Sequence, residues 1–539
     1  MPTRASRPDQ LVSDWGKWGL RLALAAGVVL LAAAYLVALL APAVGTFHDD
    51  GIYAVTARAL AEGRGYRILS LPGAPLQTKY PILFPWLLSL VWRVAPAFPD
   101  NLLWLRAVPL LSTVAWLWLS WKLVVQCGSS RRTATVIVVL TALSPWTLFL
   151  GTALLSETLF AALLTAALWA LTVSPASRGE SRRLCALAGL LSGASLLTRA
   201  AGVAVVAAGL AWLLSKRRWS DAVVFTLVAG VVALPWGVWV ATQSYEAGEA
   251  YYSAAPYGSW NIVFSYSWPQ KIHVLTGNIV FSATAPLTLW GIGWHSITLV
   301  TSLVTVVPLV LRGLWLSRAL PVAWFVGVIM AMNLAWVWPP ARFIVPIVPL
   351  VLWQASVALR GAPRLVVGGL VTVLGVIGAW RTLGVVATAQ AVGTVSWQGE
   401  RAEDWHQLSP LLEWIKRESP TRAVLAGNLD PAYFLFADRQ SVRAFTTDPY
   451  ALVYKPPANT GSPLGTVEDF RNRLLQARVD YCIWSPAPGF GESPHFRRLL
   501  DGLTAAYPGS LTVVAGKEDT GYVVYFVDRA RLAVGATSD

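Results

Sequence analysis

Two adjacent carboxylates, Asp49 and Asp50, follow the first long apolar segment of the chain. A carboxylate pair is costly at a membrane boundary unless it binds a cation, pairs with basic groups or does acid–base chemistry. The Asp50-Gly51 step is also typical of a solvated turn, and these residues alone leave both interpretations open. A downstream Lys79, a lone Glu157 after a further apolar segment and many more such segments favour a functional site.

Basic residues that could serve the same site are Lys79, Arg199 and Arg342. Lysine and arginine hold phosphate or pyrophosphate, whereas carboxylates take up a proton or hold a divalent cation. A transferase that works outside the membrane has no ATP there and needs an activated donor. A sugar on a polyprenyl phosphate is such a donor, since its tail lies in lipid and its phosphate at the interface.

Each of these residues also has a structural interpretation. Lys79 could extend its amine to the interface from a surface-lying helix, and the two arginines could partner helix carbonyls. Glu157 could have no role other than to stabilise a helix N-terminus. His48 is interpreted as an interfacial bystander, with metal ligation as the alternative.

The composition is that of a polytopic membrane protein. Of 539 residues, 55% are hydrophobic and 13% charged, and the mean hydropathy is +0.55, whereas soluble globular domains have roughly a quarter of their residues charged. The 28 tryptophans fit many lipid–water interfaces. The net charge of +14 comes mainly from short basic clusters between apolar segments, as the positive-inside rule expects, so a nucleic-acid partner is rejected. The three cysteines show no metal-ligand or disulfide spacing.

The apolar pattern predicts about eleven membrane spans in residues 18–389, after a cytoplasmic tail, 1–17. A retained anchor covers Trp18 to Leu40, and the segment between Arg183 and Lys216 is a hairpin of two short helices with Arg199 at its outer turn. A single buried helix with an intramembrane arginine is the alternative. The other predicted spans begin near Leu102, Thr133, Leu155, Val223, Trp294, Leu320, Phe343 and Leu365.

The run 82–94 is predicted to be a re-entrant or surface-lying helix, because a span there would invert every later basic cluster up to Arg217. Outer loops are then 43–101 and 243–293, the second rich in aromatic residues that suit sugars, lipid headgroups or ordinary interfacial anchoring. The aromatic residues are Tyr251, Tyr252, Tyr257, Trp260, Tyr266 and Trp268.

Residues 390–539 have a soluble composition and are predicted to form a small extracytoplasmic α/β domain. The expected helices are 405–416, 467–477 (with Thr466 as N-cap) and 495–503, and the expected strands are 422–427, 479–484, 511–514 and 522–527. We assign this domain no chemistry, because its sequence has no phosphate-binding glycine motif, metal-ligand cluster or nucleophile elbow.

Taken in order, the motifs resemble those of the GT-C glycosyltransferases over roughly residues 15–385, most closely protein O-mannosyltransferases and lipid A aminoarabinose transferases. The first outer loop carries the resemblance in Asp49-Asp50-Gly51-Ile52-Tyr53-Ala54, Ala57, Ala59-Leu60, Gly63 and Lys79-Tyr80-Pro81. Later segments add Ser156-Glu157, Leu197-Thr198-Arg199 and Arg342-Phe343 with Pro346 and Pro349.

The resemblance implies a polytopic α-helical GT-C fold and a role for each matching residue. Asp49 matches the catalytic carboxylate, the general base on the acceptor. Asp50 is its acidic neighbour, where many relatives have Glu, and Glu157 stands where relatives often have Asp. Both are expected to assist catalysis, and a divalent metal held by Asp50 and Glu157 is the one cofactor left open. Three cations, Lys79, Arg342 and Arg199, would contact the lipid phosphate, and Tyr53 and Tyr80 would contact substrate.

We therefore expect a multi-pass plasma-membrane glycosyltransferase that moves a sugar from a polyprenyl-phosphate donor to a lipid, glycan or protein acceptor at the outer face. One alternative is an enzyme similar to an O-antigen ligase or polymerase, which should have large outer loops late in the chain and no early aspartate pair. Another is a non-enzymatic transporter or flippase of the same lipids. Charges clustered at one face rather than along a path through the membrane disfavour it.

Overall fold

A computed structural model of the chain describes residues 26–173, 178–243, 264–293, 296–397, 402–454, 462–486, 491–519 and 521–534. The predicted tail 1–17 and the start of the first span at Trp18 lie outside these ranges. The described residues of the N-terminal part form the helices α1 (Ala26–Leu39), α2 (Asp49–Ala61), α3 (Leu83–Val94), α4 (Leu102–Gln126), α5 (Arg131–Ala142), α6 (Pro145–Thr152), α7 (Glu157–Val173), α8 (Arg178–Thr198), α9 (Val203–Ser215), α10 (Trp219–Thr242), α11 (Trp268–Thr288), α12 (Ser296–Leu316), α13 (Pro321–Leu334), α14 (Ala341–Ala358) and α15 (Arg364–Val392).

Helices long and apolar enough to cross a membrane are α4, α10, α12, α14 and α15, five in the described residues. The pair α5 and α6 makes a sixth if it is one span, but it is bent by 69° at Leu143-Ser144, where Pro145 starts the second helix. The predicted count of eleven is therefore not confirmed. Two of the missing spans, α7 and α13, have 17 and 14 residues and rise only about 26 and 21 Å, short of the ~30 Å hydrocarbon layer.

The observed helix bounds agree with two predictions, the helix at 82–94 and the break at Arg199, although α8, with 21 residues, is not short. The run 82–94 forms α3, whose 12 residues rise about 18 Å and cannot span a bilayer. Helices α8 and α9 replace one long span and are separated at Arg199 and a single 3₁₀ turn. The turn is tight, because a Cβ on Gly202 would lie 2.4 Å from the Leu196 nitrogen.

The expected outer loop 243–293 differs from the structure, because most of its second half is the 21-residue helix α11. Ser267 and Gln270 form a capping box at the start of this helix. The helix was not predicted, because its sequence has no long apolar run. Of the loop's aromatic residues, Tyr266 and Trp268 are described, and Tyr251, Tyr252, Tyr257 and Trp260 lie outside the described residues.

The C-terminal part is an α/β layer structure, as predicted for its helices and strands. Its elements are α16 (Trp405–Glu418), β1 (Val424–Ala426), α17 (Asp430–Ala437), β2 (Gln440–Val442), α18 (Val467–Gln476), β3 (Tyr481–Trp484), α19 (Ser493–Ala506), β4 (Leu511–Lys517), β5 (Tyr522–Val527) and α20 (Arg529–Ala533). The strand order is β2-β1-β3-β5-β4, with β2, β1 and β3 parallel and β5 and β4 antiparallel to their neighbours. Thr466 caps α18 as expected. Helix α17 and strand β2 were not predicted.

Helix α17 packs directly against the loop that leads into α2. A Cβ on Gly51 would lie 2.6 Å from the Pro431 Cβ, and one on Gly45, whose φ is +83°, would lie 2.8 Å from the Ala432 Cβ. Phe434 on the same helix belongs to the apolar core of the N-terminal part. The two parts of the chain therefore meet where the aspartate pair lies.

Candidate active site

The predicted site residues come from four helix ends and one loop that meet on one side of the helical part. Asp49 begins α2, Glu157 begins α7, and Arg342 lies in the first turn of α14. Arg199 lies at the break between α8 and α9, and Lys79 lies in the loop before α3. Carboxylates at helix N-termini are favoured by the helix dipole, which explains why both acids stand where their helices start.

Glu157 is the buried centre of this charge cluster. Its side chain is 1% exposed, and its Oε1 accepts a hydrogen bond from the Arg342 Nε and forms an ion pair of 3.0 Å with an Arg199 terminal nitrogen. Its other oxygen, Oε2, has no hydrogen-bond partner among the described residues. With both guanidiniums committed to it, Glu157 holds the cluster together.

Asp49 lies at the more open edge of the cluster, with 16% of its side chain exposed. Its Oδ2 accepts from a terminal nitrogen of Arg342 at 2.8 Å, and its Oδ1 accepts from the Tyr80 hydroxyl. Burial raises the pKa of Asp49, but the positive charge of Arg342, the neighbouring His48 side chain and the charge of Lys79 outweigh it and hold that pKa well below its usual range. Asp49 is therefore an ionised carboxylate that its neighbours hold in place.

Lys79 lies beside Asp49 on the face of Tyr80, with its Nζ 3.9 Å from the ring centroid. Burial lowers the pKa of Lys79 well below its usual range, and Asp49 opposes that shift. A second anion that enters next to Asp49 would oppose the shift in the same way and favour the protonated amine.

The two tyrosines have different surroundings. Tyr53 is buried, and its hydroxyl lies 2.8 Å from the Ser156 Oγ, which also accepts from Arg199 at 3.1 Å. The Tyr53 and Tyr80 rings pack edge to face with centroids 5.0 Å apart. Tyr80 directly supports Asp49, while Tyr53 supports Arg199 through Ser156.

Asp50 is turned away from the cluster. Its two oxygens accept backbone N–H groups of its own loop, from Gly45 at 2.8 Å and from Phe47 at 3.2 Å. Burial raises the pKa of Asp50, against these hydrogen bonds. The carboxylate fixes the turn before α2, a role the sequence analysis did not assign to it.

The residues predicted to hold a metal do not fit one. Asp50 is committed to backbone amides and Glu157 to two guanidiniums, so their oxygens do not converge. Within the ranges that the structure describes, no group of three or more His, Cys, Asp and Glu side chains is placed to bind an ion.

Solved structures of known proteins share this architecture. ArnT from Cupriavidus metallidurans, bound to undecaprenyl phosphate, aligns with a TM-score of 0.56 and 16% identity, over 94% of this chain and 99% of that one. The oligosaccharyltransferase AglB from Archaeoglobus fulgidus, in complex with an inhibitory peptide and a dolichol-phosphate, aligns with a TM-score of 0.52 and 14% identity, over 93% of this chain and 74% of that one. The chain has the GT-C fold. No protein-family model matches the chain, and no curated protein matches it in sequence.

The GT-C fold confirms the resemblance drawn from the motifs, and the alignment with ArnT covers 94% of this chain. Sequence reasoning missed three contributors to the site. Phe47 lies under Arg342, with the guanidinium carbon 4.6 Å from the ring centroid. His48 is buried rather than an interfacial bystander, and it contacts Asp430 of the C-terminal part. Asp430 had no local signal beyond its place before Pro431, a helix-start pattern.

Proposed function

We propose that this protein is a membrane glycosyltransferase that transfers a sugar from a polyprenyl-phosphate-linked donor to an acceptor at the outer face. The observation that carries the proposal is the placement of Asp49. It is a partly exposed carboxylate beside the amine of Lys79 and the guanidinium of Arg342, in a GT-C fold. The relatives in fold that were solved with undecaprenyl phosphate and dolichol-phosphate support a lipid-phosphate donor.

In the proposed reaction an acceptor hydroxyl or amine attacks the anomeric carbon of the donor sugar. Asp49 takes the acceptor's proton as the new bond forms, and the bond between the anomeric carbon and the phosphate oxygen breaks. The bonding electrons leave with the polyprenyl phosphate, whose growing negative charge Lys79 and Arg342 stabilise. Attack from the side opposite the leaving phosphate inverts the anomeric configuration.

Arg342 connects the two halves of this reaction. In the structure its guanidinium binds Asp49 and Glu157, and its second terminal nitrogen is buried with no hydrogen-bond partner among the described residues. A donor phosphate that shares this guanidinium weakens its pull on Asp49. The pKa of Asp49 then rises from its very low value, and the carboxylate becomes a better base once the donor is bound.

Glu157 and Arg199 act in this proposal by holding Arg342, since Glu157 is buried and bonded to both arginines. Arg199 is 15% exposed and keeps open a contact with the donor phosphate. Tyr80 orients Asp49 and lines the same opening. Tyr53 has its hydroxyl bonded inside the protein, so its contribution is to the shape of the site.

The proposed orientation places the first loop and the C-terminal part outside, as the basic clusters require. Single cysteines at Arg64, which is 54% exposed, and at Ala505 should react with an impermeant thiol reagent in intact cells. A cysteine at Arg132, beside a basic cluster, should react only after the membrane is opened. Labelling of just one of the first two sites in intact cells would contradict this topology.

The donor assignment is tested by two lysines in similar surroundings. Lys79 lies 3.9 Å from the Tyr80 ring centroid, and Lys122 on α4 lies 4.0 Å from that of Trp118. A charge-assisted phosphate contact is worth roughly 1.5–3 kcal/mol, about tenfold to hundredfold in affinity. Lys79→Ala should therefore weaken binding of a short-chain polyprenyl phosphate in detergent by that factor, and Lys122→Ala should not. Equal affinity in the parent and both variants would contradict the assignment of a lipid-phosphate donor.

Turnover is the second part of the test. The purified protein should convert a sugar-loaded polyprenyl phosphate that mass spectrometry identifies among its co-purifying lipids. If the protein binds that lipid but transfers the sugar to no lipid, glycan or peptide acceptor, the proposed glycosyltransferase activity is wrong and a carrier of the lipid is favoured.

A further inference from the structure

His48 lies between Asp49 and a carboxylate of the C-terminal part. Its Nε2 is 3.1 Å from the Oδ1 of Asp430, and its Nδ1 is 3.9 Å from the Oδ1 of Asp49. The His48 side chain is 4% exposed, and that of Asp430 is fully buried. The imidazole therefore joins the proposed base to a group on the other side of the boundary between the two parts.

The backbone at His48 is strained. Its φ of +68° and ψ of −62° make it the centre of a γ-turn, closed by a 2.9 Å hydrogen bond from the Asp49 N–H to the Phe47 carbonyl. A residue with a side chain keeps such a conformation only where its surroundings over-determine it. The contact with Asp430 is one of those surroundings, and the turn sets the direction in which α2, and with it Asp49, begins.

Asp430 is itself held in place by the C-terminal part. The Ser441 hydroxyl on β2 donates to its carbonyl, and the Arg443 Nε lies 3.5 Å from its Oδ1. Arg443 in turn lies 3.1 Å from the carboxylate of Glu492. Pro431, the next residue, abuts Gly51. A buried carboxylate that is both charge-compensated and mechanically fixed can serve as a reference point for His48.

We propose that Asp430 is a positioning residue for Asp49 and acts through His48, so that the C-terminal part completes the active site. The 3.1 Å contact between the His48 Nε2 and the Asp430 carboxylate fixes the orientation of the ring, which keeps its Nδ1 edge toward Asp49. The proposal rests on the proposed function, because it takes Asp49 as the base. It predicts that loss of Asp430 slows the chemical step and spares donor binding.

The test compares three variants by kcat, KM and affinity for a short-chain polyprenyl phosphate. Asp430→Ala should lower kcat about tenfold to hundredfold, as a misplaced catalytic group does, with donor affinity unchanged. Asp430→Asn keeps an oxygen that can accept from the His48 Nε2–H and should recover most of the activity. Asp438→Asn, at an exposed carboxylate just past the same helix, should match the parent protein. Equal losses of kcat and donor affinity in Asp430→Ala would overturn the proposal.

A double-variant cycle separates a linked pair from two independent supports. Asparagine tolerates positive φ but is too short to span from Asp49 to Asp430, so His48→Asn should lower kcat as Asp430→Ala does. If the two residues act in series, the double variant should lose no more than the more damaging single one. Losses that multiply would overturn the series arrangement. Should Asp430→Ala fail to accumulate, His48→Asn tests the link by itself, because it leaves Asp430 in place for Arg443. It should lower kcat with donor affinity unchanged, and equal losses of kcat and donor affinity would overturn the proposal.

Hydrogen exchange gives a readout that does not depend on activity. In Asp430→Ala, amide exchange should quicken over residues 47–52, which include the γ-turn, and stay unchanged in α5 as an internal control. If the parent protein transfers no sugar, the proposed function fails, but this outcome still decides whether Asp430 holds the segment around Asp49. Unchanged exchange over 47–52 would overturn the inference by itself.

Discussion

Arg342 and Asp49, 293 positions apart in the chain, form an ion pair of 2.8 Å at the edge of the charge cluster. The same guanidinium binds Glu157, so one arginine couples an almost fully buried carboxylate to a partly exposed one. In this arrangement Glu157 supports the arginine, whereas Asp49 is within reach of a substrate.

Asp49→Asn should abolish transfer and leave the affinity for a polyprenyl phosphate largely intact. A general base commonly contributes a factor of ~10²–10⁴, and asparagine keeps the shape of the side chain without its proton affinity. Asp50→Asn is the matched control, since the adjacent carboxylate accepts only backbone N–H groups. This variant should lose roughly 1–3 kcal/mol of stability, and its activity should fall only slightly. An active Asp49→Asn beside a dead Asp50→Asn would reverse the assignment.

Glu157→Gln should destabilise the protein strongly, because two buried guanidiniums lose the charge between them. Removal of one partner from a buried ionic pair typically costs about 3–5 kcal/mol. A second change, Arg199→Gln, restores the balance of charge and should recover part of the melting temperature in detergent. A double variant less stable than Glu157→Gln alone would show that Glu157 does not serve as the neutralising centre.

Gly51→Ala should loosen the contact between α2 and α17, since its Cβ would lie 2.6 Å from that of Pro431. Backbone and a proline ring cannot move aside cheaply, so we expect a lower melting temperature and slower transfer. Gly230→Ala on α10 is the control, because no heavy atom lies within 4 Å of its added Cβ. That change should be neutral or stabilising. Similar melting temperatures for the two variants would argue against a close contact at Gly51.

Glu403 should make stability fall as pH rises. Burial raises its pKa to about 8, although Ser485 and Tyr522 hydrogen-bond to it, so the folded protein keeps a proton that the unfolded chain has lost. The stabilisation is complete below the unfolded pKa and is lost as pH rises through about 8. Glu403→Gln should therefore melt higher than the parent at about pH 9 and similarly at about pH 5. The control Glu413→Gln, at an exposed residue, should melt at the same temperature as the parent at both pH values.

Sequence reasoning predicted Asp49, Glu157, Arg199 and Arg342 as one candidate site, and the structure brings their side chains together. It also placed Asp50 in that site, because consecutive helical residues point in directions about 100° apart and only packing decides which faces the cluster. It assigned the two arginines to a phosphate, since charge pairs between distant segments leave no local pattern.

The limits of the fold prediction have a similar cause. Hydropathy located the apolar segments, but the lengths of α7 and α13 and the bend between α5 and α6 depend on packing in the folded chain. The C-terminal elements with clear periodicity, such as α16 and β5, were placed well. Helix α17 was missed because it is only eight residues long and buried on nearly every side, so it shows no amphipathic pattern.

The ion pair between Arg199 and Glu157 has a consequence for biosynthesis. Arg342 follows Glu157 by 185 residues, which translation at about 5–20 residues per second supplies only after roughly 10–40 s. Arg199, at the end of the next helix, is made far sooner and can neutralise the carboxylate while the nascent chain is still entering the bilayer. Because Arg199 is synthesised before Arg342, Glu157 can form its first ion pair early and does not remain an unpaired carboxylate in the membrane. When Arg342 is synthesised, Glu157 is already held by Arg199.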